Sequence, residues 1–346
     1  ALQEALDAGR PVPASAAHLD RAVPWVPYLE IELAFRMDVL AAFMSLIVLG
    51  VGALVLAYCA RYFREHEPRN AVFGGQLLAF AGAMFGLVTT DDLMVLYTFW
   101  EITSVLSFLL IGYSGHRIFA RRSAITALIV TTFGGLAMLA GLIMLAHFAG
   151  SWRISGVLAA APGLLADDGG RVLLEVAVGL VLIGALTKSA QAPFHFWLPG
   201  AMAAPTPVSA YLHAAAMVKA GVFLVARLAP AFHELATWQV LVLGLGLWTL
   251  LLGGWRALRQ TDVKLVLAYG TVSQLGFLMV ANGLGVRDAA LAGLAMLLAH
   301  ALFKAPLFMV VGIIDHEAGT RDLRELSGIG RRHPALAAVA VVAGLS

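Results

Sequence analysis

The chain has 346 residues, of which 60% are hydrophobic and 13% are charged. A soluble domain is roughly half apolar and about a quarter charged, so this composition excludes an ordinary water-soluble globule and indicates a membrane protein. The net charge of +2 argues against a nucleic-acid partner, and the single cysteine, Cys59, excludes a disulfide or a cysteine-ligated metal site within this sequence.

The first 24 residues are polar and rich in Pro and Ala, and they contain no apolar run of the kind found in signal peptides. We expect residues 1–37 to form an extracytoplasmic N-terminal loop of a longer protein. We expect residues 38–346 to form one transmembrane domain, since no later linker resembles a domain boundary.

From residue 38 onward the sequence offers a series of apolar runs, each near the about 20 residues that a spanning helix requires. The predicted spans are 38–60, 72–90, 92–112, 123–147, 172–193, 206–229, 238–255, 263–282 and 288–313, and a further apolar run begins at Pro334. One set of alternate connections holds thirteen Lys and Arg residues, Lys264 among them, and the other set holds seven. The richer set is predicted to be cytoplasmic, which leaves the N-terminal segment outside.

Apart from Lys264, which lies at the edge of the span 263–282 and is counted with the connections, three lysines fall inside predicted spans: Lys188, Lys219 and Lys304. A lysine at the centre of a spanning helix costs roughly 2.5–3.5 kcal/mol, and such residues commonly mark an ion pathway. Lys188 lies near the end of its apolar run, where a lysine can also extend to the membrane interface. Lys219 and Lys304 have apolar residues on both sides, which favours a functional role.

Glu101, His213 and His300 are further titratable residues inside predicted spans. A lone buried histidine is more often a structural residue, but His300 precedes Lys304 by four positions and shares its helix face. His213 and Lys219 are six positions apart, so they need a bend or an intervening water to approach each other.

Four prolines interrupt the segment KSAQAPFHFWLPGAMAAPTPVS, at positions 193, 199, 205 and 207. Proline breaks a helix, and in lipid a broken helix is tolerated only where it is buried in protein or lines a cavity. Transporters build midplane ion sites from such discontinuous helices. Lys188, five residues before Pro193, is therefore predicted to lie beside a break.

These residues suggest a proton pathway as a hypothesis. Burial disfavours the charged form of a lysine and a nearby carboxylate favours it, so movement of Glu101 relative to Lys188 would make the lysine hold and release a proton. The proton would then pass to Lys219 and onward through His300 and Lys304 over bridging waters.

Long motifs of the chain resemble the antiporter-like family, which unites the subunits of Mrp antiporters with the proton-pumping membrane subunits of respiratory complex I. The resemblance rests on DDLMVLYTFWEITSVLSFLLIGY, GALTKSAQAPFHFWLPGAMAAPTPVSAYLHAAAMVKAGVFLVARL, TDVKLVLAYGTVSQLGFLMV and LLAHALFKAPLFMVVGIIDHEAGTRDLREL. It extends from about residue 24 to the end of the sequence. The run GIIDHEAGTRDL and the stretch FHFWLPGAMAAPTPVSAYLH are most similar to the A-type subunit of Mrp complexes.

The resemblance implies an all-α, polytopic membrane helix bundle with inverted five-helix repeats and a broken seventh helix, of which this chain covers about helices 3 to 12. It implies that Glu101 is the acid of the fifth helix and Lys188 the lysine of the seventh. It implies that the eighth helix carries His213 and Lys219, and that the eleventh carries His300 and Lys304. The second repeat would be incomplete at its C-terminal end.

The resemblance further implies a proton-translocating subunit of a multisubunit Na⁺/H⁺ antiporter in the bacterial cell membrane, assembled with other Mrp subunits. The alternative is a proton-pumping subunit of a complex I-type NADH–quinone oxidoreductase. A membrane scaffold without transport would not explain four interior charges beside His195, His213 and His300. An enzyme is disfavoured because the sequence has no phosphate loop, HExxH or GxSxG motif, and we propose no cofactor or metal ligand.

The ion carried by this part of the chain is expected to be the proton. Sodium prefers oxygen ligands, and Glu101 is the one carboxylate that the sequence places firmly inside a span. Asp38 and Glu175 lie near predicted span ends and are the weak points of that inference. We therefore expect the sodium site to lie elsewhere.

Overall fold

The computed structural model describes residues 19–29, 31–63 and 70–345, which form a helix bundle preceded by a β-hairpin. Strands β1 (Leu19–Val26) and β2 (Ile31–Met37) pair in antiparallel fashion. The helices are α1 (Val39–Tyr62), α2 (Asn70–Thr89), α3 (Leu93–Ile111), α4 (Ile118–Ala149), α5 (Ile154–Ala166), α6 (Arg171–Lys188), α7 (Trp197–Gly200), α8 (Thr206–Ala214), α9 (Lys219–Phe232), α10 (Ala236–Ala257), α11 (Val263–Gly283), α12 (Arg287–Ala318), α13 (Ile329–Arg332) and α14 (Pro334–Leu345).

Eight helical segments in the described part of the chain are long and apolar enough to cross a membrane, with α8 and α9 together forming one of them. They coincide within a few residues with eight of the predicted spans. The remaining predicted span, 172–193, corresponds to α6, whose helix ends at Lys188. The run after Pro334 forms α14, a shorter apolar helix. The predicted polytopic helix bundle is confirmed.

Residues at the helix ends satisfy backbone groups that the helices leave free. Asp38, Asp92 and Asp262 precede α1, α3 and α11, and each accepts hydrogen bonds from backbone N–H groups of the first helical turn. Gly150 and Gly319 follow α4 and α12 with φ of 63° and 68°, the left-handed conformation that glycine adopts most readily. These residues fix where the long helices begin and end.

The burial pattern separates a lipid-facing surface from a polar centre. Large apolar side chains such as Phe133 on α4 and Leu251 on α10 are 61% and 67% exposed, as expected for side chains that face lipid. The α8–α9 pair has no such lipid-facing side, because all 18 residues of its most apolar stretch are buried inside the bundle. His213 and Lys219 are therefore enclosed by protein.

The break predicted near Pro193 is present, and it begins at Ser189. Between α6 and α8 the chain forms short 3₁₀ segments and the single turn α7. Neighbouring groups satisfy several of its polar atoms: Ser189 Oγ donates to the carbonyl of Val218 at 2.6 Å, and the N–H of Ala192 donates to Thr249 Oγ1 at 2.9 Å. Buried protein partners make this interruption tolerable inside the membrane.

Three features differ from the sequence-based expectation. The span predicted at 206–229 is interrupted by an irregular turn at 215–218, which supplies the bend expected between His213 and Lys219. The short helix α5 was not predicted. Residues 19–29 and 31–37 of the predicted N-terminal loop form the hairpin, while residues 1–18 of that loop lie outside the described residues. Its extracytoplasmic position remains a prediction.

Ion pairs attach the hairpin end of the bundle to the helices. The guanidinium of Arg153, at the start of α5, pairs with the carboxylate of Glu32 on β2. Asp38, which links the hairpin to α1, receives two hydrogen bonds from Arg227 of α9, and the second of these is 3.1 Å long. The hairpin, α1 and the central helix pair are thereby held together at one end.

We predict that Asp38→Asn lowers stability through loss of the pair with Arg227, because asparagine still serves as a helix cap. Burial raises the pKa of the Asp38 carboxyl, but the hydrogen bond and charge of Arg227 outweigh it, and the pKa lies below its usual value of 3.8. A depressed pKa stabilises the fold above the unfolded-state pKa, and the benefit disappears as pH falls through the folded-state value. The expected loss near neutral pH is about 1–3 kcal/mol.

The measurement is the melting temperature of the detergent-purified protein as a function of pH. The matched control is Asp168→Asn, which changes an exposed aspartate. Equal melting temperatures for the two variants at neutral pH would contradict a stabilising role of the pair.

Candidate functional site

Lys188 is the last residue of α6, and its side chain is fully buried. Its ammonium nitrogen donates to three oxygens of α3: the carbonyl of Trp100 at 2.5 Å, Thr103 Oγ1 at 2.7 Å and Ser104 Oγ at 3.0 Å. The same nitrogen lies 4.7 Å from the centroid of the Trp100 ring. The lysine is therefore held inside the bundle and does not extend to the membrane interface.

Glu101 directly follows Trp100 on α3. In the described part of the chain, however, neither carboxylate oxygen of Glu101 lies within 4.0 Å of the Lys188 nitrogen, so the two residues form no ion pair. One carboxylate oxygen receives a long hydrogen bond from Thr132 at 3.5 Å, and Oε1 is buried without a hydrogen-bond partner. A Cβ added at Gly135 of α4 would overlap Oε1. The carboxylate thus occupies a notch in α4 that a glycine leaves open.

Lys219 begins α9 and is fully buried. Its ammonium group donates to the carbonyl of Leu297 on α12 at 2.9 Å. Val218, the preceding residue, accepts the hydrogen bond from Ser189, which directly follows Lys188. The two helix interruptions therefore touch each other, and the lysine beside each one points to a different neighbouring helix.

His300 and Lys304 lie on the same face of α12 as Leu297, three and seven residues further along the helix. Both ring nitrogens of His300 are buried without a hydrogen-bond partner. Lys304 is 6% exposed, and its nitrogen lies 3.4 Å from where a Cβ would stand at Gly270 of α11. Lys219, His300 and Lys304 therefore follow one another along the inner face of α12.

His213 on α8 is fully buried, and neither of its ring nitrogens has a partner. Its ring lies 6.2 Å from that of Trp197 and 6.5 Å from that of Phe308. Unpaired polar nitrogens in a buried site are costly, and a bound water is the usual way to satisfy them.

Lys264 is a fourth buried lysine that the sequence-based interpretation assigned to a cytoplasmic connection. It lies in the first turn of α11, is 2% exposed, and donates to the carbonyl of Ala204 at 2.7 Å. Its position next to the Asp262 cap made it resemble a loop residue, since the local sequence is polar. The predicted span 263–282 does include Lys264, but a lysine one residue from a span end can reach the interface, so its burial was not predicted.

All four buried lysines share one property. None has a carboxylate oxygen within 4.0 Å among the described residues, and three of them donate to a main-chain carbonyl. The carbonyls belong to Trp100, Leu297 and Ala204. Such neutral acceptors can bind an ammonium group and also a neutral amine.

A cavity of about 660 Å³ opens at the ends of α1, α3 and α12 and at the starts of α4 and α11. Its lining includes Arg117, Asp262, Lys264, Asp315 and Arg321. These helix ends adjoin the connections that carry more Lys and Arg and are predicted to be cytoplasmic. The cavity gives solvent a route to Lys264, which also interacts electrostatically with His213.

The family described as "NADH:quinone oxidoreductase/Mrp antiporter, TM" matches residues 90–346, and "NADH-Ubiquinone oxidoreductase (complex I), chain 5 N-terminus" matches residues 25–73. A probable K⁺/H⁺ antiporter protein of the A/B subunit type from Rhizobium meliloti is 47% identical over 96% of this chain and 33% of its own length. The A-type subunit of a Na⁺/H⁺ antiporter from Alkalihalophilus pseudofirmus is 45% identical over 90% of this chain and 40% of its own length.

A solved structure of the Mrp complex from Dietzia sp. DQ12-45-1b contains a chain of the same fold. It is 41% identical and superposes with a TM-score of 0.83, over 90% of this chain and 33% of that chain. This chain therefore spans between a third and two fifths of the length of these relatives.

The eight spans and the bacterial relatives identify a multi-pass protein of the bacterial cell membrane. The match to residues 90–346 covers most of the sequence. The chain belongs to the NADH:quinone oxidoreductase/Mrp antiporter family of membrane proteins.

Proposed function

We propose that this chain is the proton-translocating part of the A-type subunit of an Mrp antiporter, a multisubunit secondary transporter that exchanges protons for Na⁺ or K⁺. The observation that carries the proposal is the set of four buried lysines without carboxylate partners, at 0%, 0%, 2% and 6% exposure. A buried lysine with no carboxylate in direct contact exchanges its proton more readily than one held in an ion pair.

The proposed pathway starts in the cavity beside Lys264. From there it continues past His213 to Lys219, and then along α12 through His300 to Lys304. A branch leads from Lys219 through the contact of Ser189 with Val218 to Lys188, where Glu101 supplies the compensating negative charge. The steps between side chains require bridging waters, for which the unpaired ring nitrogens of both histidines are suitable partners.

The proposed role of Glu101 is to bias the charge state of Lys188. In this structure the lysine rests on α3 oxygens, and the carboxylate lies in its notch on α4. A move of the ammonium group toward Oε1 would form an ion pair and retain the proton, whereas a return to the α3 oxygens would permit its release. Moving one charge across about 100 mV is worth about 2.3 kcal/mol, a difference that formation of one buried ion pair can supply.

The proposed partners are the other Mrp subunits of a hetero-oligomeric complex, with Na⁺ and H⁺ as the transported ions. A redox-driven proton pump of the complex I type is the second candidate, because the family description includes both classes. The antiporter is preferred because the relatives at 47% and 45% identity are subunits of antiporters. Sodium- or potassium-dependent proton movement in membranes without NADH distinguishes the two.

We predict that Lys188→Ala reduces cation/proton antiport to the background of membranes that lack the complex. The measurement is proton movement in everted vesicles after addition of Na⁺ or K⁺, with complex assembly checked by native electrophoresis. The matched control is Arg122→Ala, which removes an exposed basic side chain at the start of α4. Antiport at the wild-type level in an assembled Lys188→Ala complex would refute the proposed pathway.

We further predict that Gly135→Ala impairs transport while the complex still assembles. The added methyl group would occupy the position of Glu101 Oε1 and force the carboxylate out of its notch. Small displacements of a reacting group can cost up to about a hundredfold in rate, so we expect a reduction between about tenfold and that limit.

The control for this prediction is Gly82→Ala in α2, where an added Cβ meets no atom within 4 Å. Initial rates of antiport are compared at equal amounts of assembled complex. Equal rates for the two glycine variants would show that the position of the carboxylate in the notch is irrelevant.

A further inference from the structure

We propose that the carbonyl oxygen of Trp100 and the hydroxyl oxygens of Thr103 and Ser104 form a binding site for a monovalent alkali cation, which the ammonium group of Lys188 occupies in this structure. The inference rests on the proposed antiport function and gives it a cation site. It also revises the expectation that the cation binds outside this part of the chain.

The ammonium nitrogen of Lys188 lies 2.5, 2.7 and 3.0 Å from three oxygens of one turn of α3. These oxygens form one side of the proposed cation site. The hydroxyl groups of Thr103 and Ser104 donate their own hydrogens to the carbonyl of Trp100, at 2.7 and 3.2 Å. The lone pairs of the two hydroxyl oxygens thereby face Lys188, while the carbonyl oxygen of Trp100 is shared between the hydroxyl donors and the occupant.

The site suits an ion of single charge. Carbonyl and hydroxyl oxygens replace the hydration shell of alkali cations in proteins, and neutral oxygens favour a monovalent over a divalent ion. The face of the Trp100 ring adds a further attraction for a cation. Glu101 supplies a negative charge one residue along the same helix, and its Oε1 is buried without a partner.

A cation and the ammonium group cannot occupy these oxygens together. Two positive charges at one buried position repel each other strongly, so a bound cation requires the Lys188 nitrogen to leave. The unpaired Oε1 of Glu101 offers that nitrogen an alternative partner on the same helix. Binding of the cation is thus coupled to the position and charge of the lysine, which is the requirement for exchange of a cation against a proton.

The test is equilibrium binding of radioactive Na⁺ and, separately, Rb⁺ as a K⁺ mimic to the purified complex. The variants are Lys188→Met, which removes the competing ammonium group, and Lys188→Met combined with Thr103→Val, which also removes one oxygen. Lys188→Met combined with Thr103→Ser is the matched control, because serine restores the oxygen. Size-exclusion chromatography verifies that each complex is intact.

We expect Lys188→Met to bind the cation at least about tenfold more tightly than the wild type, and the added Thr103→Val to lose about 10- to 100-fold of that affinity. Lys188→Met combined with Thr103→Ser should keep most of the affinity that Lys188→Met gains. The comparison of Na⁺ with Rb⁺ identifies the preferred ion, and excess choline should not compete.

Cation binding that is the same in Lys188→Met with and without Thr103→Val would overturn the site, as would no gain in Lys188→Met over the wild type. In either case the α3 oxygens serve only to hold the lysine. The proposed proton pathway would survive that result, because it fails on a different observation, namely normal antiport in the Lys188→Ala complex.

Discussion

The burial of one ammonium group, that of Lys188, imposes the local architecture around it. Three donors must be satisfied away from water, and α3 provides the three oxygens. For the nitrogen to reach these oxygens, α6 has to end beside α3. Both α3 and α6 then have to pack closely against α4. Two adjacent glycines of α4 allow this approach: a Cβ at Gly134 would overlap Thr187, and one at Gly135 would overlap Glu101.

The end of α6 creates a second requirement, because an interrupted helix exposes backbone groups inside the membrane. The structure meets it by placing two interruptions against each other, where Ser189 of the first donates to Val218 of the second. The irregular turn at 215–218 therefore has a structural reason in addition to its place in the proposed pathway. It satisfies the break after α6, and it directs Lys219 toward α12 while His213 stays on the opposite side of the turn.

Much of this arrangement follows from the sequence. The length of the apolar runs predicts the spans, and the cost of charge in lipid selects Lys188, Lys219 and Lys304, all of which the structure buries. Lys264 escapes such reasoning because it lies at the end of its predicted span, where a lysine can also reach the membrane interface. The turn at 215–218 escapes it because the local sequence, Ala-Ala-Met-Val, contains neither proline nor glycine. The roles of Thr103 and Ser104 depend on contact with Lys188, a residue 85 and 84 positions away, which no local pattern encodes.

The choice of acceptors for these lysines has a consequence for the proposed proton transport. A carboxylate beside a lysine stabilises only the charged form, and removal of the proton would then leave an unpaired negative charge in a medium of low polarity. A main-chain carbonyl accepts a hydrogen bond from the ammonium group and from the neutral amine alike, and its own charge does not change. Lys188, Lys219 and Lys264 all donate to such carbonyls. In the proposed pathway, these acceptors allow the lysines to lose and regain protons without breaking the framework that holds them. Glu101, in its separate notch, is then proposed to control the charge state of Lys188.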